Sequence, residues 1–388
     1  LNKKLLHTEV QEFIKNYKEP ISKLAFSGSR FQDISVQELM QQIESRQKVK
    51  DKLPTFFSTE NIYYPPKVNL EQTSSEITAQ YKASIVSGES IADITGGFGV
   101  DSFYFSKTFK TVAHYEHDSA LSKIATHNFK QVGVTNITTF EGDGLASLQV
   151  KKYDVLYVDP SRRHNTKGKV FFLNDCEPNI PENLQQLFNH APIILIKTSP
   201  MLDLAVGLRE LDNVQEIHIV AINNEVKELL WLLKSNFKGT PEIKTINFNR
   251  DSTDTFDFTF GSDAEPFFSE PLRFLYEPNA AILKSGAFNL ISEAYKVKKL
   301  HKNTHLYTSE ALRYFPGRCF TIKSSVQYSK KEMKAAINFK KANITTRNFP
   351  ESVATLRKKW KLADGGGMYL FFTTNIADEK VMLICEKI

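Results

Sequence analysis

Apolar residues in the first part of the chain recur at helical spacing, and further along they gather into short runs that end in acids. Leu5, Val10, Phe13, Ile14 and Tyr17 fall at roughly every third or fourth position, and Val36 to Val49 repeats the pattern. Residues 1–68 are therefore expected to form an N-terminal helical region, interrupted at Phe56-Phe57 and at Tyr63-Tyr64-Pro65-Pro66. A capping-box pattern at Ser74 or Ser75 opens a further helix just before the first strand. Five short runs follow: Ser90 to Ile94, Thr111 to Glu116, Asn136 to Glu141, Tyr153 to Val158 and Pro192 to Lys197. They read as strands of an open parallel sheet, the fifth central and covered on both faces. Helices are expected between the first four, at about residues 101–108, 118–132 and 143–149. Glu216 to Ile222 reads as a sixth strand, and Asn223 to Glu228 as the opening of a helix. Ile243 to Phe248 and Thr255 to Phe260 complete the sheet.

The turn after the first strand carries the first chemical signal. Asp93-Ile94-Thr95-Gly96-Gly97-Phe98-Gly99-Val100-Asp101 runs from an acid through glycines into a helix start. Glycine has no Cβ, so such a loop lets backbone N–H groups approach a ligand closely. Turns of this kind also serve dinucleotides and phosphates, and some only pack a helix against a sheet. The NAD fingerprint fits poorly: with its first two glycines on Gly97 and Gly99, Ser102 stands where the third belongs. Glu116 ends the second strand, 17 residues after Gly99, where a carboxylate can accept bonds from both hydroxyls of a ribose. The third strand runs into Gly142-Asp143-Gly144 and the fourth into Asp159-Pro160-Ser161-Arg162-Arg163. Four strand ends bearing acids would line one crevice of a parallel sheet, shaped for a nucleoside.

These residues resemble the successive motifs of Rossmann-like S-adenosylmethionine-dependent methyltransferases. Over about residues 60–388 the chain is similar to bacterial methyltransferases with a C-terminal THUMP-like domain, whose fourth motif reads Asp-Pro-Ala/Ser-Arg-Arg. The resemblance implies an α/β fold with a seven-stranded methyltransferase sheet, an N-terminal helical region and a C-terminal α+β THUMP-like domain. It implies S-adenosylmethionine as cofactor, its methionine part on Asp93 and the backbone of Gly96, Gly97 and Gly99, its ribose on Glu116 and its adenine amino group on Asp143, with Thr95 and Asp101 as further cofactor-binding residues. The segment before the first strand would close over the methionine end, although a plain helix cap explains its serines as well. Asp159-Pro160 would sit where the methyl leaves. Amine methyltransferases commonly follow this Asp/Asn-Pro with Pro and an aromatic residue; here Ser161-Arg162-Arg163 takes that place and suits a phosphate or carboxylate neighbour. Covalent 5-methylcytosine chemistry looks poor, because no cysteine lies near this motif. Lys197, straight after four aliphatic residues, is either a site residue or the partner of Asp159 or Asp203.

Composition adds bounds rather than chemistry. A hydrophobic content of 41% with 24% charged residues is ordinary for a soluble globular protein. No apolar run has the length of a membrane span, and the lysines near Leu1 precede no signal-peptide core. A start at Leu1 without Met is expected of a trimmed or processed chain. Cys176, Cys319 and Cys385 lie far apart without metal-ligand spacing, which leads us to expect reduced thiols, a cytoplasmic protein and no metal.

Charge is unevenly spread. Residues 318–388 hold 14 Lys/Arg against 6 Asp/Glu, a net +8, which leaves the rest of the chain at −2 within a total of +6. A basic segment beside a near-neutral one points to a polyanionic partner, although a lysine-solvated surface gives the same count. Glu-Pro pairs at 265–266, 270–271 and 277–278 punctuate a linker, and Asn279 to Tyr295 reads as a short helical region. From Arg318 onward the pattern predicts β (Cys319 to Val326), α (Lys330 to Phe339), β (Ala342 to Thr346), α (Ser352 to Lys361) and two final strands (Met368 to Thr374, Lys380 to Glu386). The expected organisation is a helical region to residue 68, a methyltransferase domain over 69–262, a linker or small α+β subdomain over 263–317, and the THUMP-like domain over 318–388. Arg163, Arg347, Arg357, Lys358 and Lys359 are the candidate phosphate contacts. The polar stretch His164 to Lys169 is a candidate substrate lid. The phenylalanines sit mostly at core-like positions, so backbone contact is better supported than base reading.

The expected function is thus methyl transfer from S-adenosylmethionine, on tRNA or rRNA, with Asp159, Pro160, Ser161, Arg162 and Lys197 at the reaction centre. The alternatives are a methyltransferase of a small anionic metabolite and a catalytically silent nucleic-acid-binding protein. Acceptor atom and oligomeric state are open.

Overall fold

Eighteen strands and the helices between them account for most of the computed structural model, which describes residues 1–148, 151–162 and 172–388. The strands are β1 (Ser90–Asp93), β2 (Thr111–Glu116), β3 (Ile137–Glu141), β4 (Val155–Val158), β5 (Ser161–Arg162), β6 (Cys176–Glu177), β7 (Ile193–Thr198), β8 (Val214–Ile222) and β9 (Glu225–Lys234). They continue as β10 (Glu242–Phe248), β11 (Thr253–Thr259), β12 (Phe274–Pro278), β13 (Lys298–His301), β14 (Thr304–Ser309), β15 (Gly317–Gln327), β16 (Asn343–Thr346), β17 (Met368–Thr374) and β18 (Lys380–Lys387). Nine form one sheet in the order β11-β10-β8-β9-β7-β4-β1-β2-β3, and seven form another, β13-β14-β12-β15-β18-β17-β16. Contacts divide the chain into two units: Leu1–Gln215 with Leu230–Gly239, and Glu216–Leu229 with Thr240–Ile388.

In the first unit β1 pairs in parallel with both β2 and β4, and β3 and β7 extend the sheet outward, also in parallel. The chain leaves β1 toward β2 on one side and returns to β4 on the other, so the crevice at the carboxyl ends of β1 and β4 is the topological switch point of the sheet. β4 and β7 are almost wholly buried aliphatic runs, as strands covered on two faces require. The N-terminal helices Thr8–Asn16, Ile21–Ser27, Val36–Val49 and Pro54–Ser58 form the expected helical region, and Ser35 with Glu38 makes a capping box at the third of them. Two buried side chains fasten this region. Asn128 exchanges two bonds of 2.9 Å with the backbone of Tyr63, and Glu76 accepts from the Thr55 N–H at 2.6 Å and the Tyr104 hydroxyl at 2.7 Å.

The Rossmann-like arrangement is as expected, but the sheet has nine strands instead of seven. Part of the difference is a correction at residues 223–234, where no helix forms. Asn223 and Asn224 both adopt left-handed φ, at 49° and 65°, a pair of values that suits a two-residue hairpin turn, and the chain continues as β9. Good helix formers such as Glu, Lys and Leu mislead here because burial decides the outcome. Leu229, Leu230, Trp231 and Leu233 are fully buried, and the Trp231 indole N–H donates to Thr198 Oγ1 at 2.9 Å.

In the second unit β10 pairs in parallel with β8, and β11 antiparallel with β10. The stretch that reads as linker and short helices contains the helices Ala280–Ser285 and Phe288–Ala294, and three strands that the sequence reading did not name, β12, β13 and β14. Beyond it, β15, the helix Lys330–Ala336, β16, the helix Val353–Trp360, β17 and β18 follow the expected order to within a few residues. The seven-stranded sheet curls so that β14 and β17, each second from an edge, come together: Thr304 Oγ1 on β14 donates to the Thr374 carbonyl at 3.1 Å. One face of the sheet therefore encloses Leu275, Leu300, Leu306, Phe320, Phe371 and Leu383.

Candidate active site

β1 delivers Asp93 to the switch point, fully buried, and the turn that follows is built around it. Asp93 Oδ1 accepts the Thr95 N–H at 3.1 Å, and Oδ2 accepts the Ser102 hydroxyl at 2.7 Å. Ser102 lies in the helix Val100–Phe105 and also meets His114 Nδ1, on β2, at 2.9 Å. That bridge explains why a serine stands where the NAD fingerprint has glycine. Burial pushes Asp93 up to about 7, and the nearby Asp101 and Asp159 carboxylates add to the rise. Burial likewise pushes His114 down to about 3, so its ring is neutral. The ring fills the space under the turn: a Cβ on Gly96 would lie 2.2 Å from His114 Cε1, so no larger residue fits.

The amides of the turn point into the protein. Gly96 N–H donates to the Tyr115 carbonyl at 2.8 Å, Gly97 N–H to Glu116 Oε2 at 2.7 Å, and Gly99 N–H to the Gly96 carbonyl at 3.0 Å. Glu116 Oε1 accepts the Asp118 N–H at 2.7 Å. Glu116 Oε2 thus takes one backbone donor and keeps a lone pair, while Oε1 also meets Nδ1 of the exposed His117 at 3.1 Å. Asp143 is exposed, and its Oδ1 caps the helix Gly144–Ser147 through Leu145 and Ala146. Gly144 lies so close to β1 that a Cβ there would come within 2.2 Å of the Ile94 carbonyl oxygen, which places Asp143 beside the turn.

Asp101 faces inward and is more heavily bonded than the sequence implies. Its Oδ2 accepts the hydroxyls of Ser74 at 2.8 Å and Tyr157 at 2.9 Å, and its Oδ1 pairs with Lys82 Nζ at 3.2 Å. Burial opposes ionisation of Asp101, but Lys82, Lys197 and these hydroxyls outweigh it and hold the carboxyl below its ordinary value. Lys82 is fully buried in the helix Glu76–Ser84 and also donates to Ser74 Oγ at 3.0 Å. Ser75, not Ser74, caps that helix. Sequence reasoning missed Lys82, Tyr157 and His114 as site residues and named Ser74 only as a candidate cap. Lys82 had one signal: with Ala79 and Ala83 it lies on the buried stripe of its helix.

At the end of β4, Asp159 N–H donates to Thr95 Oγ1 at 2.7 Å, which ties the fourth motif to the glycine turn. Lys197 on β7 donates to Asp159 Oδ2 at 2.5 Å, choosing Asp159 over Asp203, whose carboxylate caps the helix Leu204–Glu210. Pro160 is buried, while Ser161 and Arg162 form β5, paired antiparallel with Glu177 and Cys176 of β6. Arg163 and the stretch 164–169 lie outside the described residues. The structure thus draws Asp93, Thr95, Gly96, Gly97, Gly99, Asp101, Glu116, Asp159 and Lys197 into one bonded cluster at the switch point. It holds four carboxylates, Asp93, Asp101, Glu116 and Asp159, against the cations of Lys82 and Lys197. Among the described residues no group of His, Cys, Asp and Glu gathers as a metal site, and no helix is long and apolar enough to cross a membrane.

In the second unit the candidate phosphate contacts are mostly paired. Arg347 donates to the buried Glu277 at 2.7 Å, and Arg318 bonds the other oxygen of the same carboxylate through Nε at 2.7 Å. Arg357 pairs with Asp364, and Lys359 with Glu351 at 2.9 Å. Lys358 is exposed.

Residues 274–316 match a family model described as a ferredoxin-like domain, and residues 317–387 match one described as THUMP domain-like. No curated protein sequence matches the chain. Among solved structures, a protein assigned as a methyltransferase from Porphyromonas gingivalis W83 is 32% identical, with a TM-score of 0.89 over 100% of this chain and 98% of that one. The tRNA (uracil-54, C5)-methyltransferase of Pyrococcus abyssi is 22% identical over 42% of this chain and 39% of its own, with a TM-score of 0.31. An rRNA methylase from Streptococcus thermophilus is 16% identical over 41% of this chain and 94% of its own, with a TM-score of 0.30. Overlaps as loose as these last two carry no argument about substrate. The full-length match does, for the family: the chain belongs to the bacterial class I, Rossmann-like S-adenosylmethionine-dependent methyltransferases with a C-terminal THUMP-like domain.

Proposed function

We propose that this methyltransferase acts on RNA, with its cofactor at the β1–β4 switch point and the acceptor at Asp159. The observation that carries the site assignment is the Lys197–Asp159 pair, tied by Thr95 to the same turn that carries Asp93. The donor set fits S-adenosylmethionine. A cluster with a surplus of carboxylates, one of them raised to about 7, is short of positive charge, and the cofactor is a cation. Asp93 would hold its ammonium end with the turn from Thr95 to Gly99, Glu116 its ribose hydroxyls through the Oε2 lone pair that Gly97 leaves, and Asp143 its adenine amino group. Asp101, enclosed by Lys82, Ser74 and Tyr157, would fix the helix behind the turn rather than touch the cofactor. When bound, the cofactor supplies an electrophilic methyl group on a sulfonium.

The protein must then present the acceptor in line and dispose of a proton. Asp159 Oδ2 is bonded to Lys197, which fixes the carboxylate at the end of β4 and leaves its other oxygen to orient an acceptor N–H or O–H. Pro160 stiffens the turn behind it. RNA as acceptor is supported by the net charge of +8 on residues 318–388 and by the match of residues 317–387 to a THUMP-like model. The test is transfer of labelled methyl from S-adenosylmethionine to total RNA by the full chain, beside Asp159→Ala. Label in RNA that the variant loses supports the reading; turnover of small anionic metabolites without RNA would replace it with the metabolite reading.

A further inference from the structure

Behind the glycine turn one serine hydroxyl stands between a carboxyl and an imidazole, and it has a single hydrogen to give. Ser102 Oγ lies 2.7 Å from Asp93 Oδ2 and 2.9 Å from His114 Nδ1, and all three side chains are buried. Asp93 Oδ1 already accepts the Thr95 N–H at 3.1 Å, which leaves Oδ2 as the oxygen to carry an acid hydrogen. On the far side of the ring, His114 Nε2 is buried and has no hydrogen-bond partner among the described residues. Phe129 stands edge-on to the ring at 5.2 Å, and a Cβ on Gly96 would lie 2.5 Å from Nδ1, so the ring is wedged between Phe129 and the turn.

These contacts allow two arrangements. With Asp93 neutral, its O–H donates to Ser102 Oγ, the serine donates to His114 Nδ1, and the ring carries its hydrogen on Nε2. With Asp93 ionised, the serine donates to Oδ2, Nδ1 carries the ring hydrogen and donates to Oγ, and Nε2 is bare. Any mixture sets two lone pairs or two hydrogens against each other at hydrogen-bond distance. From the first arrangement to the second, Asp93 gives up one proton to solvent, the hydroxyl turns, and the ring hydrogen passes from Nε2 to Nδ1. The ring is neutral in both, because burial pushes it down to about 3. Burial opposes the ionised carboxylate and holds Asp93 up at about 7, while an Nε2–H without an acceptor opposes the neutral one. One hydroxyl thus sets two burial penalties against each other.

We propose that Ser102 and His114 are positioning residues for the cofactor: they keep Asp93 bonded in either charge state, and they turn its ionisation by the arriving ammonium group into a change of tautomer in the His114 ring. This rests on the placement of S-adenosylmethionine against Asp93 in the preceding section. The charged groups around Asp93 are Asp101 on the adjoining helix and Asp159 at the end of β4, which both raise it. Lys82 and Lys197 act on Asp101, and Glu116 bonds the turn at Gly97. Among the described residues the Ser102 hydroxyl bonds none of these, so the ring follows Asp93 alone. Which ring nitrogen of a histidine carries hydrogen is set by the bond the ring makes, and here that bond ends on the carboxyl that the cofactor would charge.

The experiment is nitrogen-15 NMR of the histidine rings in the full chain, in which a ring nitrogen bearing hydrogen and a bare one give separate shifts. The His114 ring is assigned through bonds to its own backbone and followed from pH 5.5 to 8, without and with saturating S-adenosylmethionine. Without cofactor the hydrogen is expected to move from Nε2 to Nδ1 with a midpoint at about pH 7. With cofactor it is expected on Nδ1 already at pH 6. Asp93→Asn keeps its carbonyl on the Thr95 N–H and turns its amide NH2 to Ser102, so the ring hydrogen should stay on Nε2 at every pH. In Ser102→Ala the ring should stop responding to pH and cofactor. The midpoint of cofactor affinity against pH should then rise by about one unit, because the ionised carboxylate loses a donor. An unaltered melting temperature shows that a variant is folded, and the parent series decides the relay without any variant. If the parent binds the cofactor and the ring hydrogen stays on one nitrogen throughout, the relay is overturned while the cofactor site stands. If the ring responds to pH but not to bound cofactor at pH 6, or if calorimetry finds no cofactor binding, both the relay's role and the placement against Asp93 fall.

Discussion

Asp93 is a carboxyl whose protonation should be visible from outside. In the folded chain its pKa is raised from 3.8 to about 7, so between those values the folded state holds a proton that the unfolded state has lost. Its contribution to stability is therefore fullest below about pH 4 and is lost as pH rises through 7. A cation bound against Asp93 selects the ionised form, so affinity for S-adenosylmethionine is expected to rise by up to about tenfold per pH unit below 7 and to level off above it. Titration calorimetry from pH 5.5 to 8 checks this, and Asp93→Asn is expected to flatten the profile. Lys197 belongs to the other half of the site. Lys197→Ala should lower the methyl-transfer rate by about 100-fold in single turnover while leaving cofactor affinity nearly unchanged, since the hydrogen bond it removes is the one to Asp159. An equal loss in cofactor affinity would move Lys197 to the cofactor side.

Two helices and a strand end meet through the buried Lys82–Asp101 pair, and this contact carries a prediction about elements rather than chemistry. Lys82→Met leaves Asp101 buried without its ion-pair partner, and removing one partner of such a pair costs about 3–5 kcal/mol. Chemical denaturation should show that loss, and Lys82→Met with Asp101→Asn should recover most of it. The elements themselves were largely legible in the sequence. β2 and β17 run between the same residues that their apolar patterns predict, because short runs bounded by turns and acids leave little choice. β9 was not legible, because Glu-Val-Lys-Glu followed by leucines satisfies a helix as well as a buried strand, and only the left-handed pair Asn223-Asn224 separates them. β12 to β14 were missed because Glu-Pro pairs read as linker punctuation, although Glu277-Pro278 ends a strand and its acid takes two arginines. In the site, strand-end acids were readable as a set. Which of them would be enclosed was not, since Lys82 reaches Asp101 across 19 positions of chain and no local pattern announces that distance.

At the scale of the whole chain the charge is lopsided, and RNA affinity should inherit that. For a single strand the slope of log affinity against log salt is about −0.7 per phosphate neutralised, so binding is expected to fall steeply between 50 and 200 mM salt. Lys358→Ala, at an exposed cation, should reduce that slope by about 0.7, whereas Lys359→Ala should change it less because Lys359 already pairs with Glu351. A titration series in potassium chloride distinguishes the two. The curled sheet of the second unit has a further consequence, for anyone who cuts the gene. The boundary between the ferredoxin-like and THUMP-like segments falls between Pro316 and Gly317, yet β12 before it and β15 after it pair residue by residue, Glu277 opposite Arg318. A fragment ending or beginning there would carry a raw strand edge, and such edges recruit one another. Separately expressed halves should aggregate when alone and dissolve when co-expressed, as complementing fragments of one fold.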